Sequence, residues 1–294
     1  MSCPARSRRG ASHEPTKPRA PVIHTRTAPK LPERAALCYT SGVLTHVAAV
    51  LFDLGGVLLH LDYAAIAERA GALGIALDAA VLPRAEAWAR RAIDARAAER
   101  GGVPGDDATR IPDYFDDLLA GASVPRVARG PLVARLRADH RECNLWRVPL
   151  AGARETLASL RRAGLRTGVV SNADGRAERL LVEAGLAAEL EVIVDSHYEG
   201  VEKPDPEIFR RALRRIGADA AQTAYVGDIV SIDVVGSRAA GLRPILMDAT
   251  GGYRDPPCER IRRLPELLAL PGIDPTARRP IERARAAVGP REGA

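Results

Sequence analysis

Two carboxylates in this chain sit where apolar strands run out. Asp53 interrupts "VAAVLFDLGGVLLHLDY", residues 47–63, and is followed by two glycines at which the chain must turn. Asp228 closes "TAYVGD", residues 223–228, in the same manner. An ionised carboxylate on an apolar strand is costly to desolvate unless something pairs with it. A metal ligand or a nucleophile is therefore a better account of Asp53 than packing. Ser171 and Asn172 end a third apolar run, "LRTGVVSN", and on their own would serve equally well as caps for a helix beginning at Asp174. Asp233, five residues past Asp228, has a bland reading too, as an exposed first-turn acid held by the helix dipole.

Lys203 stands out by rarity. Of 43 Lys and Arg residues only Lys17, Lys30 and Lys203 are lysines. A chain that uses arginine almost everywhere but lysine in "GVEKPDPEIF" points to a compact ammonium that a planar guanidinium would not replace. His60, just past the glycine pair, and Asp195 with His197, at the end of another strand, are first read as surface and loop residues. The four cysteines, Cys3, Cys38, Cys143 and Cys258, have neither CxxC spacing nor an adjacent histidine pattern, so neither a zinc site nor a disulfide framework is indicated.

These residues need a scaffold that brings them together. "VAAVLFDL" reads as a strand buried on both faces, and Gly55-Gly56 breaks it. Apolar spacing near 3.6 predicts helices over roughly 63–74, 78–100, 107–120 and 131–146, an all-helical insertion punctuated by "GGVPGDD" and "GASVPRVARG". Strand and helix then alternate. Helices are expected near 151–163, 174–184, 206–216, 231–240 and 258–269, and strands at "LRTGVVS", "LEVIVDS", "TAYVGD" and "RPILMD". Such alternation predicts an α/β fold, a Rossmann-like parallel sheet with helices on both faces. Sites in these sheets form at the carboxyl ends of strands, which is where Asp53, Ser171-Asn172 and Asp228 fall.

"FDLGGVL", "VVSNADG", "EKPDPEIF" and "YVGDIVSIDVVGSRAAG", in that order and with a helical insertion after the first, resemble the four motifs of the haloacid dehalogenase (HAD)-like hydrolase superfamily over roughly residues 47–270. The resemblance implies a core of residues 46–62 and 147–272 and a helical cap of residues 63–146. It implies that Asp53 is a nucleophile that forms an aspartyl-phosphate, and a carboxylate needs no deprotonation for that at neutral pH. It further implies that Asp53, Asp228, Asp233 and the Gly55 carbonyl hold Mg²⁺, whose preference for hard oxygens suits them. Ser171 and Asn172 would donate hydrogen bonds to phosphate oxygens, and Lys203 would neutralise charge between nucleophile and phosphoryl group. The implied activity is a phosphatase of a small phosphorylated metabolite. Gly55 departs from the pattern, because most phosphatases of this family carry there the Asp that protonates the leaving group. Two alternatives stand beside this reading: a 2-haloacid dehalogenase-type hydrolase that needs no metal, and a binding or regulatory protein on the same fold.

Composition limits the partners. The formal charge of +6 arises entirely in residues 1–45, where eight Lys/Arg face Glu14 and Glu33; the remainder is balanced at 35 basic and 35 acidic residues. A neutral body argues against a nucleic-acid surface on the fold. No apolar run reaches the roughly 18 residues of a membrane span, and the expected location is the cytoplasm. Residues 1–45, rich in Pro, Arg, Ser and Thr, read as a disordered tail, with a transit peptide or an over-extended start as other readings. Residues 273–294 read as a flexible C-terminal tail. Nothing in the sequence indicates an oligomeric state.

Overall fold

A computed structural model describes residues 46–105 and 107–273. The expectations for residues 1–45 and 274–294 lie outside the described residues. Ile273, expected to open the flexible tail, is fully buried.

The central strand β1 (Ala49–Phe52) is buried at every position. It runs parallel between β4 (Arg166–Ser171) and β6 (Thr223–Gly227), with Phe52 opposite Val169 on one side and Val226 on the other. Burial on both faces is why these strands read as continuous apolar runs. Burying a side chain such as Phe52 contributes about 2–3 kcal/mol. Among the described residues the sheet is completed by β5 (Val192–Asp195), β7 (Arg243–Met247) and β8 (Glu259–Ile261), in the order β5-β4-β1-β6-β7-β8, all parallel. The chain moves outward from β1 first in one direction and then in the other. The loops after β1, β4 and β6 therefore diverge at one edge and open a crevice there.

Helices cover both faces. On one, α5 (Ala153–Arg162), α6 (Ala177–Glu183) and the turns of Leu264–Ala269 pack over Phe52, Val169 and Val226. On the other, beyond the single turn α7 (Ser196–Glu199), α8 (Pro206–Ile216) packs on Leu51, Val170 and Tyr225. Its ends follow from its sequence: Asp205 accepts the Glu207 N–H (2.9 Å), Pro206 opens the first turn, and Gly217 closes the last with φ 62°. At the opposite edge from the crevice, the Val47 N–H donates to the Gly272 carbonyl (3.1 Å).

Between β2 (Leu59–Leu61) and β3 (Trp146–Pro149), helices α1 (Tyr63–Ala72), α2 (Leu82–Glu99), α3 (Asp107–Gly121) and α4 (Arg126–Cys143) share an apolar cluster that includes Ile66, Leu82, Ala89, Phe115, Leu118 and Leu136. The structure departs from expectation at three places. Trp146, expected as the last residue of a helix over 131–146, instead opens the strand 146–149 antiparallel to β2, because Asn144 adopts φ 52° and turns the chain out of α4. Residues 258–269, expected as a helix, form β8 and a 3₁₀ stretch; a helix there would place Pro265 in its interior. The expected helix 231–240 begins with a wide π turn, Val230–Val234, and only then becomes α9 (Val235–Ala239).

Candidate active site

The crevice holds the residues singled out by the sequence. Asp53 follows β1, Ser171 ends β4 with Asn172 next, Asp228 follows β6, and the π turn delivers Asp233 beside them. All four acid and lysine side chains are buried: Asp53 is 8%, Lys203 1%, Asp228 3% and Asp233 1% exposed. Lys203 Nζ sits 2.8 Å from Asp53 Oδ1, 2.8 Å from Asp233 Oδ1 and 2.9 Å from the Tyr225 hydroxyl. Asp53 Oδ1 also accepts the Leu54 N–H (2.7 Å), which fixes the plane of its carboxylate. Asp233 Oδ2 accepts the N–H groups of Asp228 (3.1 Å) and Ile229 (3.0 Å), so the π turn is tied back onto the end of β6. The Asn172 side-chain amide bonds within the protein. Its Oδ1 accepts the Lys203 N–H (2.7 Å) and its Nδ2 donates to the Lys203 carbonyl (3.0 Å), so the side chain clamps the lysine backbone. Asp195 accepts N–H groups from Gly175 and Ala177 (3.2 Å each) and thereby does the capping at α6 that Ser171 and Asn172 do not.

Charge at the site is held in tension. Burial pushes the Asp53 carboxyl up from 3.8 to about 6, against the opposing pull of Lys203. Burial raises Asp228 well above the usual carboxylate range, and the neighbouring Asp233 and Asp53 add to it. Burial would lower Lys203, but Asp233 and Asp53 outweigh it and hold the ammonium above its ordinary value.

A second cation, which the sequence did not single out, reaches in from α2. Arg90 Nε lies 2.6 Å from Asp228 Oδ2, and its Nη2 lies 3.0 Å from Glu86 Oε1. Glu86 in turn accepts from the hydroxyls of Tyr114 (2.9 Å) and Tyr63. Arg90 lies in the arginine-rich "WARRAIDARAAER", where nothing in the sequence marks it from its neighbours. Tyr225, inside an apolar strand, gave no signal either.

Three carboxylates could hold a metal ion: one oxygen from each of Asp53, Asp228 and Asp233 lies within 4.8 Å of the others. Asp228 Oδ1 is buried and has no hydrogen-bond partner. A buried orphan oxygen within a set of hard oxygen donors fits a divalent cation such as Mg²⁺.

Asp53, Gly55, Ser171, Asn172, Lys203, Asp228 and Asp233 all line one cavity of about 240 Å³, to which Ile93, Ile111, Tyr114 and His140 from the helices and Trp146 from β3 also contribute. His60 is not part of that lining; its ring stacks on Tyr63 (4.9 Å) and its Nδ1 lies 2.7 Å from the Leu61 carbonyl. His197 likewise packs outside it, against Tyr198.

The profile of one hydrolase family, the haloacid dehalogenase-like hydrolases, matches residues 47–241. The chain is 39% identical over 127 residues to the mouse (Mus musculus) haloacid dehalogenase-like hydrolase domain-containing protein 3, a match covering 43% of this chain and 50% of the mouse protein. It thus spans about half the length of the curated relatives of that kind. It is 34% identical to the phosphoserine phosphatase of Thermus thermophilus over 212 residues, 71% of this chain and 84% of that enzyme. Its fold is similar to that of YfnB from Bacillus subtilis, described as a HAD-hydrolase bound to magnesium, with a TM-score of 0.56 and 22% identity over 77% of this chain and 99% of that one.

Proposed function

Because the chain belongs to the haloacid dehalogenase-like hydrolases, we propose that it is a Mg²⁺-dependent phosphatase acting on a small phosphorylated metabolite through an aspartyl-phosphate at Asp53. The observation that carries this reading is the pairing of Asp53 with Lys203 at 2.8 Å, beside two further carboxylates, in the floor of a cavity. Asp53 Oδ1 is taken by Lys203 and the Leu54 N–H, and Oδ2 is the oxygen offered to phosphorus. Lys203 spreads the negative charge that gathers on the phosphoryl oxygens and the nucleophile. Ser171, at the strand end, hydrogen-bonds a phosphate oxygen, and Asn172 keeps Lys203 in place through its backbone. Asp53, Asp228, Asp233 and the Gly55 carbonyl would hold Mg²⁺, which when bound neutralises phosphate charge. The four helices of residues 63–143 form a cap whose inner wall chooses the substrate. We place the protein in the cytoplasm, with no nucleic acid or membrane as partner.

The test is a product screen over sugar phosphates, nucleotides, acyl phosphates and 2-haloacids, with and without Mg²⁺. Phosphate release that needs Mg²⁺ and is lost in Asp53→Asn is the expected outcome. Halide release from 2-haloacids without Mg²⁺ would replace the phosphatase reading by the dehalogenase one. Turnover of none of these would point to a binding protein.

A further inference from the structure

Position 55 carries no side chain, and the structure shows what stands in its place. A Cβ on Gly55 would lie 3.1 Å from Trp146 Cδ1 and 3.4 Å from its Cγ and Nε1. The backbone is not the obstacle, since the left-handed conformation belongs to Gly56 (φ 78°) and not to Gly55. What occupies the space is an indole ring. Trp146 is placed there by the turn at Asn144, whose Oδ1 accepts the Trp146 N–H (2.9 Å), and by β3 pairing back onto β2. On its other sides the ring is held by Tyr114 (5.3 Å), His140 (5.4 Å) and Phe115 (6.0 Å). An indole N–H can donate a hydrogen bond but does not give up its proton. The nearby Tyr114 hydroxyl is spent on Glu86, and burial together with that carboxylate raises it well above its ordinary value.

We propose that Trp146 determines specificity by closing the space over Gly55, restricting the enzyme to phosphates whose leaving group departs without a proton and has a flat or apolar body: aryl, enol and acyl phosphates. The inference rests on the phosphatase reading. In the step, Asp53 Oδ2 bonds to phosphorus as the bond from phosphorus to the leaving oxygen breaks. The electron pair stays on that oxygen, which leaves as a phenolate, enolate or carboxylate and is protonated by solvent if at all. Water then attacks the aspartyl-phosphate, regenerating the carboxylate and releasing inorganic phosphate and a proton to the medium. Trp146 packs against the departing group while its N–H can steady the charge.

A leaving-group series tests this on the unaltered protein with Mg²⁺: acetyl phosphate, 4-nitrophenyl phosphate, phenyl phosphate and glycerol phosphate. Without proton assistance, kcat/KM is expected to fall by about 10²-fold or more from 4-nitrophenyl to glycerol phosphate. Trp146→Ala is expected to raise KM for the aryl esters about 3- to 10-fold, the worth of an aromatic contact, and to leave acetyl phosphate nearly unchanged. Calorimetric binding of phenyl phosphate to Asp53→Asn should weaken by the same factor when Trp146→Ala is added. In the Trp146→Ala background, Gly55→Asp should flatten the leaving-group dependence. Equal rates for aryl and glycerol phosphate in the unaltered protein would overturn the proposal, leaving a phosphatase in which another group, with His140 first to test, supplies the proton. An equal loss on acetyl and aryl phosphates in Trp146→Ala would overturn it too, reducing Trp146 to a structural role. Failure to release phosphate from any member of the series would sink the phosphatase reading, and the inference with it.

Discussion

Lys203 is packed so closely that its replacement is informative. Three oxygens lie within 2.9 Å of its Nζ and the side chain is 2% exposed, so the wider, planar head of Lys203→Arg cannot take the same point. We expect about a 10²-fold loss of phosphate release, the usual cost of one preorganised charge contact, with near-UV circular dichroism reporting whether the fold is kept. Near-normal rates would remove the reason given for lysine at this position. Asp53 carries a pH signature. Its pKa is raised by burial from 3.8 unfolded to about 6 folded, so the folded chain holds that proton more tightly. Its contribution to stability is therefore full below the unfolded value and lost as pH rises through the folded one. In EDTA, the Tm of Asp53→Asn relative to wild type should rise between about pH 4 and about pH 7, by the equivalent of up to about 3 kcal/mol; a difference that does not change with pH would rule this out. Asp53, Asp228 and Lys203 were legible because a charge at the end of an apolar run, or one lysine among arginines, is conspicuous against its surroundings. Arg90 and Trp146 were not, because their importance lies in which distant residue they touch, and that is set by the helix packing and the β2–β3 ribbon.

At the scale of elements, α2 is the principal strut between the helices and the sheet. Glu86, Arg90 and Asp94 follow one another at four-residue spacing and so lie along one face. Arg90 meets Asp228, while Asp94 accepts the Ser231 N–H (2.7 Å) and the Tyr253 hydroxyl (2.5 Å) from the core. Asp94→Ala would leave those donors unpaired and should cost about 1–3 kcal/mol. Thermal or urea unfolding measures this directly, and a loss of under about half a kcal/mol would mean that the contacts are not holding α2. The parallel strands were readable because burial on both faces leaves a continuous apolar signature. The departures have local physical causes. At Asn144 a single left-handed residue ends α4 at Cys143, short of the 146 that apolar spacing gave, and turns Trp146 into β3. At residues 259–261 the edge strand is stabilised by a two-point ion pair, Arg243 Nε to Glu259 Oε2 (2.5 Å) and Nη2 to Oε1 (2.6 Å), which no spacing rule reveals.

For the whole molecule, the formal excess of positive charge lies in residues 1–45, and the rest of the chain is balanced. That stretch lacks the apolar periodicity from which a packed face is built. A chain lacking residues 1–42 is expected to keep its Tm and its kcat/KM while losing its entire formal net charge. Calorimetry and steady-state rates check this, and a substantial drop in either would mean that the segment contributes contacts to the body.

The Val47–Gly272 hydrogen bond has a consequence for gene order. The ends of the described chain meet on the side of the sheet away from the cavity, so a short peptide joining them would disturb neither β1 nor the crevice. New ends could be opened at Gly101-Gly102, exposed between α2 and α3. Such a circular permutant would begin with α3 and end with α2, so that Arg90 and Asp228 lie on opposite sides of the artificial junction. It should fold to the same spectrum and melt within a few degrees of the parent. A permutant that stays unfolded would show that the order of synthesis is itself part of how this sheet is assembled.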